Sequence, residues 1–197
     1  MLGQHLIFTT YGFWPPNDPR GSGSARVRAQ HVHEAGGPAT KVHTRASLAA
    51  RPHDFRIRRA INESLKYPAV QLNGLQAQAV GRGFVEICRK VELTIHALAI
   101  LPDHVHVVVA AHKFDGDELI ACLKRAGTRA LNEAGLHPLA AFSRTSGKHP
   151  CPWGGKGWKV FLDSPTEVRS RIRYVEENPE KAGFRRQHWS CVVPYLG

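Results

Sequence analysis

The sequence is poor in acidic side chains and in cysteine, and it contains no long apolar run. Its 16 aspartates and glutamates stand against 27 lysines and arginines, which gives a formal net charge of +11 over 197 residues. A balance this basic favours a polyanionic partner, most simply nucleic acid, and the alternative is an incidentally basic protein. An anionic membrane surface is disfavoured because no basic helix pattern carries an aromatic apolar face.

The scarcity of cysteine and of apolar runs argues against several other classes. The four cysteines form no Cys-x-x-Cys pair, which argues against a zinc ribbon and against a secreted disulfide framework. No segment reaches the roughly 18 apolar residues that span a bilayer, and the N-terminus lacks a charged start followed by an apolar signal core. We therefore expect a reduced, cytoplasmic protein without a membrane partner.

The sequence does contain enough apolar residues for one core. Hydrophobic residues make up 42% of the chain, and its length fits a single domain, which we place at residues 1–197. Two stretches rich in glycine, proline and polar residues lack sustained apolar periodicity. We predict that these stretches, residues 15–52 and 137–157, are loop insertions.

Strand and helix patterns alternate along the rest of the chain. Strand patterns lie at residues 4–11, 91–100 and 158–162, and another follows the Leu101-Pro102-Asp103 turn and ends at Ala110, so that it forms an antiparallel hairpin with residues 91–100. Helix patterns cover residues 57–66, Asn73 to about residue 90, Asp115 or Asp117 to about residue 135, and Ser164 to Asn178. An antiparallel sheet with helices on one side suits this order, so the predicted fold class is α+β.

The stretch LPDHVHVVVA, residues 101–110, places two histidines in an otherwise apolar strand pattern. Successive side chains of a strand point to opposite faces, so His104 and His106 share one face and the alternating valines take the other. Two imidazoles one strand repeat apart can converge on a divalent ion. The alternative is a pair of half-buried histidines, each bonded to a neighbouring polar group.

A second His-Val-His, at His31 and His33, serves as a comparison. It lies in the first loop-like stretch and has no apolar strand behind it to fix the two rings. We therefore do not expect a metal at this pair.

The last helix pattern carries a tyrosine and an asparagine four residues apart. Tyr174 and Asn178 lie on the same flank of the helix, to one side of its apolar stripe. A tyrosine oxygen can act as a nucleophile toward phosphorus, and an amide oxygen can complete a metal site that two histidines begin. The alternatives are a tyrosine at the boundary of the core and an asparagine that ends a helix.

Together these segments resemble the single-tyrosine HUH transposases, and among them the REP-associated tyrosine transposases. The resemblance rests on His104-Val105-His106 behind Leu-Pro-Asp, on YVEENPEKAGF at residues 174–184, and on HLIFTTYGFWPPNDPRGS at residues 5–22. It extends to residues 84–100 and 153–162, and so covers most of the chain in the same order.

This resemblance implies a fold, a cofactor and a reaction. The fold would be a ferredoxin-like antiparallel sheet with flanking helices. Tyr174 would be the nucleophile, and His104, His106 and Asn178 would hold Mg²⁺ or Mn²⁺. The position of Asn178 is a glutamine in some relatives. The enzyme would cleave single-stranded or hairpin DNA through a 5′-phosphotyrosine intermediate and rejoin strands without ATP.

Basic side chains close to aromatic ones are the candidates for DNA binding. They are Lys124, Arg125, Arg129, Arg171, Arg173, Arg185 and Arg186; the alternative for each is a solvated surface cation.

The sequence is compatible with several functions. The protein could move a mobile element, or it could be a domesticated relative that binds and nicks hairpin DNA in the host genome. It could also be a nucleic-acid-binding protein without catalysis, and a metal-dependent phosphoesterase is the most distant reading. A homodimer and a monomer are both compatible with the sequence.

Overall fold

A four-stranded sheet forms the centre of the protein. The computed structural model describes residues 1–42, 48 and 51–197. The strands are β1 (Gly3–Thr9), β2 (Ile95–Ile100), β3 (His104–Ala110) and β4 (Trp158–Leu162). They lie in the order β2-β3-β1-β4, and all neighbours are antiparallel. With helices between β1 and β2 and between β3 and β4, this is the ferredoxin-like arrangement. The predicted α+β class is confirmed.

Helices cover both faces of the sheet, and not one face as the element order suggested. They are α1 (Gln30–Gly36), α2 (Phe55–Glu63), α3 (Gly74–Val91), α4 (Gly116–Glu133) and α5 (Pro165–Lys181). The larger core lies between the sheet and the α3–α4 pair, where Leu6, Val107 and Phe84 are fully buried. A smaller core lies under α5 around Val108 and Val175. Helices can pack on both faces because each strand places successive side chains on opposite faces of the sheet.

The predicted helix starts agree with the structure where a capping residue marks them. Asn73, Asp115 and Ser164 each accept a hydrogen bond from the backbone three residues later, and the glutamine or glutamate there reaches back. This reciprocal capping box satisfies two otherwise unpaired backbone N–H groups at each helix start.

Several predicted boundaries differ from the structure, and two of these differences have an evident local cause. Helix α5 runs through Pro179 to Lys181 instead of ending at Asn178; proline there costs only one backbone hydrogen bond in the last turn, and the Phe184 amide closes the end by donating to the Pro179 carbonyl. Strand β2 starts at Ile95 because Glu92 adopts a left-handed conformation, with φ of 58°, after α3. Residues 15–52 include the short helix α1, which the sequence pattern did not predict.

The segment after α5 lies along the free edge of β2. The Gln187 side chain donates to the Ile100 carbonyl and accepts from the Ile100 amide, and the Val193 amide donates to the Ile95 carbonyl. The Trp189 ring fills the space that a side chain at Gly81 of α3 would occupy. Among the described residues, no helix combines the length and the apolar character needed to cross a bilayer.

Candidate active site

The two strand histidines lie on the face of the sheet that α5 covers. His106 is almost fully buried, His104 is about one-fifth exposed, and their ring centroids are 4.8 Å apart. The valines that alternate with them point into the opposite core. The structure therefore places both rings on one face of the sheet, as the alternation of the strand pattern predicted.

One ring nitrogen of each histidine is held by a neighbour. Nδ1 of His104 donates to Oδ1 of Asp103 at 2.6 Å, and Nδ1 of His106 lies 3.0 Å from Nε2 of His5 on β1. Neither Nε2 atom of the pair has a hydrogen-bond partner in the described part of the chain. A metal-binding histidine uses one nitrogen for the metal while the other donates to a nearby acceptor. The arrangement of His104 and His106 fits that requirement.

Burial keeps the two inner histidines neutral. Desolvation, together with the charge of Arg171, lowers the pKa of His5 to about 3. Desolvation, then the charges of His104, His5 and Arg171, lowers the pKa of His106 well below its usual value. Neutral imidazole is the form that binds a metal ion, so His106 is in the binding form at neutral pH.

Helix α5 brings Tyr174 to this cluster. Its ring lies edge-on to His106, with centroids 5.6 Å apart, and to His5, with centroids 5.9 Å apart. Two cations flank the same ring, with Arg171 at 5.9 Å and Lys181 at 5.6 Å from its centroid. A half-buried phenol therefore lies beside the histidine pair in a positive environment.

Asn178 lies one turn after Tyr174 on α5, and its amide nitrogen is buried without a hydrogen-bond partner among the described residues. A rotation of the amide by half a turn would exchange this nitrogen for the oxygen, which is an acceptor and a ligand for Mg²⁺ or Mn²⁺. The described residues contain no group of three or more histidine, cysteine, aspartate or glutamate side chains placed to hold a metal. The third ligand predicted from the sequence, Asn178, is not one of these four residue types.

Two residues at the site, His5 and Phe13, were not predicted from the sequence. Leu6 and Phe8 are buried on one face of β1, so the strand pattern predicts that His5 lies on the other face. Its position beside His106 depends on the register of β1 against β3, which pairs Ile7 with His106 and is not encoded locally. Phe13 lies in a loop and stacks on His104, with centroids 5.6 Å apart and planes within 8°.

The seven predicted DNA-binding cations fall into two groups. Arg171 and Arg173 are on α5, which covers the histidine face of the sheet, and Arg185 and Arg186 follow that helix. Lys124, Arg125 and Arg129 are on α4, which covers the other face.

The cations of α4 are engaged within the protein to different degrees. Nζ of Lys124 donates to the carbonyls of Gly154 and Gly155, and burial lowers the pKa of this lysine. Arg129 pairs with Glu86 at 2.6 Å and with Glu133 at 3.6 Å. Of the α5 group, Arg186 pairs with Glu176, whereas Arg173 is exposed and makes no ion pair within the described ranges.

The second His-Val-His lies on α1, where His31 and His33 are both exposed. Two residues apart on a helix, side chains point about 200° from each other. The rings of this pair therefore diverge, in contrast to the strand pair.

A family model described as "Transposase IS200 like" matches residues 64–145. This segment includes His104 and His106 and ends before Tyr174. No curated protein matches the chain in sequence.

Two solved structures are similar to the protein. One is a REP-associated tyrosine transposase bound to a REP hairpin, with 20% identity, a TM-score of 0.44, and coverage of 61% of this chain and 65% of that one. The other, described as a transposase of Deinococcus radiodurans R1, has 17% identity, a TM-score of 0.43, and coverage of 90% and 89%. The chain thus spans less than two thirds of the first of these proteins, and neither likeness bears on activity. Residues 64–145 are thus similar to the IS200-like transposases.

Proposed function

We propose that the protein is a single-tyrosine transposase that cleaves and rejoins single-stranded DNA. The similarity of residues 64–145 to the IS200-like transposases supports a transposase role. The observation that carries the chemistry is the meeting of Tyr174 with the His104–His106 pair on one face of the sheet. The candidate substrate is a hairpin with an unpaired flank, because the scissile phosphate must reach a site that a helix partly covers.

The residues of the site fit a divalent metal, Mg²⁺ or Mn²⁺. Nε2 of His104 and Nε2 of His106 would hold it, with Asn178 as the third ligand, while Asp103 and His5 orient the two rings. When bound, such an ion stabilises charge on the scissile phosphate and orients the ester.

The bond changes then follow from the residue types. The Tyr174 oxygen attacks phosphorus and loses its proton, a tyrosine–phosphorus ester forms, and the bond from phosphorus to the 3′-oxygen breaks. The leaving 3′-oxygen takes up a proton and becomes a free hydroxyl, while the 5′-phosphate stays on the protein. Attack of such a hydroxyl on a phosphotyrosine reverses the exchange and joins strands. The number of phosphate esters is conserved, so no ATP is needed.

The covalent step is tested with Tyr174→Phe. The variant keeps its ring and its contacts with His5 and His106 but has no nucleophilic oxygen, so we expect it to bind single-stranded DNA and form no adduct. Purified protein is incubated with labelled hairpin oligonucleotides and Mn²⁺, and the adduct is resolved on a denaturing gel. Tyr195→Phe is the matched control, because Tyr195 packs under the same helix face, against His96. An adduct that persists in Tyr174→Phe contradicts the proposal.

Two related functions differ from this one in testable ways. A domesticated protein would nick dispersed hairpins without joining them to a new strand, and a binding protein without catalysis would form no adduct at all. Supplying a second single strand with a free 3′-hydroxyl separates transfer from nicking. The reduced cytoplasmic compartment, the choice between monomer and dimer, and the loop-insertion boundaries at residues 15–52 and 137–157 stay predictions.

A further inference from the structure

A row of aromatic rings continues from the histidine pair across the part of the sheet beside α5. Phe13 stacks on His104. The Trp14 ring lies edge-on to Phe13, with centroids 5.8 Å apart, and the Trp158 ring lies edge-on to Trp14, with centroids 6.1 Å apart. We call Phe13, Trp14 and Trp158 the aromatic shelf.

The register of the sheet joins this shelf to the candidate active site. Ile7 on β1 pairs with His106 on one side and with Trp158 on the other. Paired residues of neighbouring strands point to the same face, so all three lie on the histidine face. With strands about 4.8 Å apart, the backbone of Trp158 is about 10 Å from that of His106.

The inner part of the shelf is held by a hydrogen bond and by a buried cation. The Trp14 indole N–H donates to the Gly21 carbonyl at 2.8 Å, and the Arg20 guanidinium lies 3.7 Å from the centroid of the Trp14 ring. Arg20 is itself held by two hydrogen bonds of 2.8 Å to Asp18, and both residues are buried. Arg20 therefore supports Trp14 and is not available to a phosphate. This gives a structural role to the segment NDPRGS.

The outer part of the shelf is open to solvent. Trp158 is 37% exposed at the first position of the edge strand β4, and Phe13, Trp14 and Ile7 are half-buried. An indole costs free energy when it is left exposed. Flat aromatic faces beside cations are also the surfaces on which proteins stack unpaired bases.

We propose that the aromatic shelf binds an unpaired nucleobase next to the phosphate at the histidine pair. The base would stack on the exposed Trp158 ring. Ile7 would lie beneath the base, and Trp14 would lie beside it. The occupant rests on the proposed function, since it is a nucleotide of the same single strand. Stacking on these rings would fix the position of the strand relative to Tyr174.

The test measures binding and not cleavage. Fluorescence anisotropy with a labelled 15-nucleotide oligothymidylate, without metal, compares the full-length protein with Trp158→Ala and Trp158→Phe. Base–aromatic stacking contributes enough that Trp158→Ala should lose about 5- to 150-fold in affinity, and Trp158→Phe should recover most of it. Stacking releases no counterions, so the slope of log affinity against log salt should not change.

The matched control is Phe161→Ala. Phe161 is 54% exposed on the same strand but points to the opposite face of the sheet. A strand of the same length with abasic sites is the second probe; the wild-type protein should prefer the oligothymidylate, and Trp158→Ala should lose that preference. If Trp158→Ala binds like Phe161→Ala, or keeps the preference for bases, the proposal is overturned.

The result of the Trp158 binding test can be distinguished from the result of the Tyr174 adduct test. If no adduct forms at Tyr174 but Trp158→Ala loses its base preference, the shelf stands and the strand-transfer proposal fails. If Tyr174 forms the adduct while Trp158→Ala binds normally, the shelf fails and the chemistry stands.

Discussion

At the scale of single residues, His104 and His106 differ in what holds them. His104 is held by a carboxylate one position before it, whereas His106 is held by a histidine 101 positions away. For Nε2 of His106 to be free for a metal, its Nδ1 must carry the proton and donate to Nε2 of His5. The proton of His5 is then on its own Nδ1, which is buried without a partner among the described residues.

We predict that Mn²⁺ binding depends on three histidines of the site. We expect His104→Ala and His106→Ala each to abolish Mn²⁺ binding, because each removes one of two imidazole ligands. His5→Ala should weaken Mn²⁺ binding by about 10- to 100-fold, since it removes the group that orients His106. Isothermal titration of the purified protein with Mn²⁺ measures all three affinities.

The control for this prediction is the helix pair. His31→Ala combined with His33→Ala should leave Mn²⁺ affinity unchanged, because these rings diverge on α1. Loss of binding in this double variant, together with intact binding in His104→Ala, would reverse the assignment of the site.

The histidine face could be predicted from the sequence because strand alternation is a local property. Three other features could not be predicted from the sequence: the contact of His5 with His106, the stacking of Phe13 on His104, and the Asp18–Arg20 pair. Each depends on the register of distant strands or on the path of a loop, and no periodic pattern specifies either.

At the scale of elements, α5 sets the position of the nucleophile. Its start is fixed by Ser164 and Glu167, which bond reciprocally to each other's backbone amides. Val168 and Val175 anchor the helix on the sheet. Tyr174 lies beside this anchor, so its approach to His106 depends on how firmly the helix is held.

We predict that Ser164→Ala lowers the free energy of unfolding by about 1 kcal/mol, because it leaves an N–H group of the first turn without its capping acceptor. Urea denaturation followed by circular dichroism measures the change. Ser170→Ala on the exposed side of the same helix is the control, and it should be neutral or slightly stabilising. Equal losses in the two variants would show that the cap is not what stabilises α5.

Element ends were predictable where a capping side chain marks them and unpredictable where a backbone exception decides. Asn73 and Ser164 mark the starts of α3 and α5. Pro179 continues a helix that a proline usually ends, and Glu92 takes a left-handed conformation that mostly glycine or asparagine adopts. Pro179 is buried, whereas Glu92 is exposed and its amide donates to the Cys88 carbonyl at the end of α3; no capping side chain marks either position in the sequence.

At the scale of the whole molecule, the positive charge is distributed over two faces of the sheet. On the α5 face it surrounds the candidate active site, and Arg173 there is exposed and free of ion pairs in the described ranges. On the α4 face the carboxylates of Glu86 and Glu133 neutralise much of the charge of Arg129. Because the candidate active site lies on the α5 face, we expect DNA to follow that face.

We predict that affinity for single-stranded DNA falls steeply with salt, with a log–log slope near −4 if about six phosphates are contacted. Arg173→Ala should reduce the magnitude of this slope by about 0.7, the share of one contact, and Arg129→Ala should reduce it by less. Titrations of labelled hairpin and blunt duplex DNA at several salt concentrations measure both effects. A flat salt response, or equal affinity for the blunt duplex, would mean that the basic charge serves another partner.

The segment that lies along β2 has a consequence for self-association. An open sheet edge is a template on which another chain can add a strand. Here Gln187 and Val193 of the same chain already use the Ile100 amide and the Ile100 and Ile95 carbonyls. As a tethered competitor, this segment has an effective concentration on the order of millimolar. A second copy at micromolar concentration is therefore outcompeted at this edge, so β2 is protected from strand exchange and fibre growth.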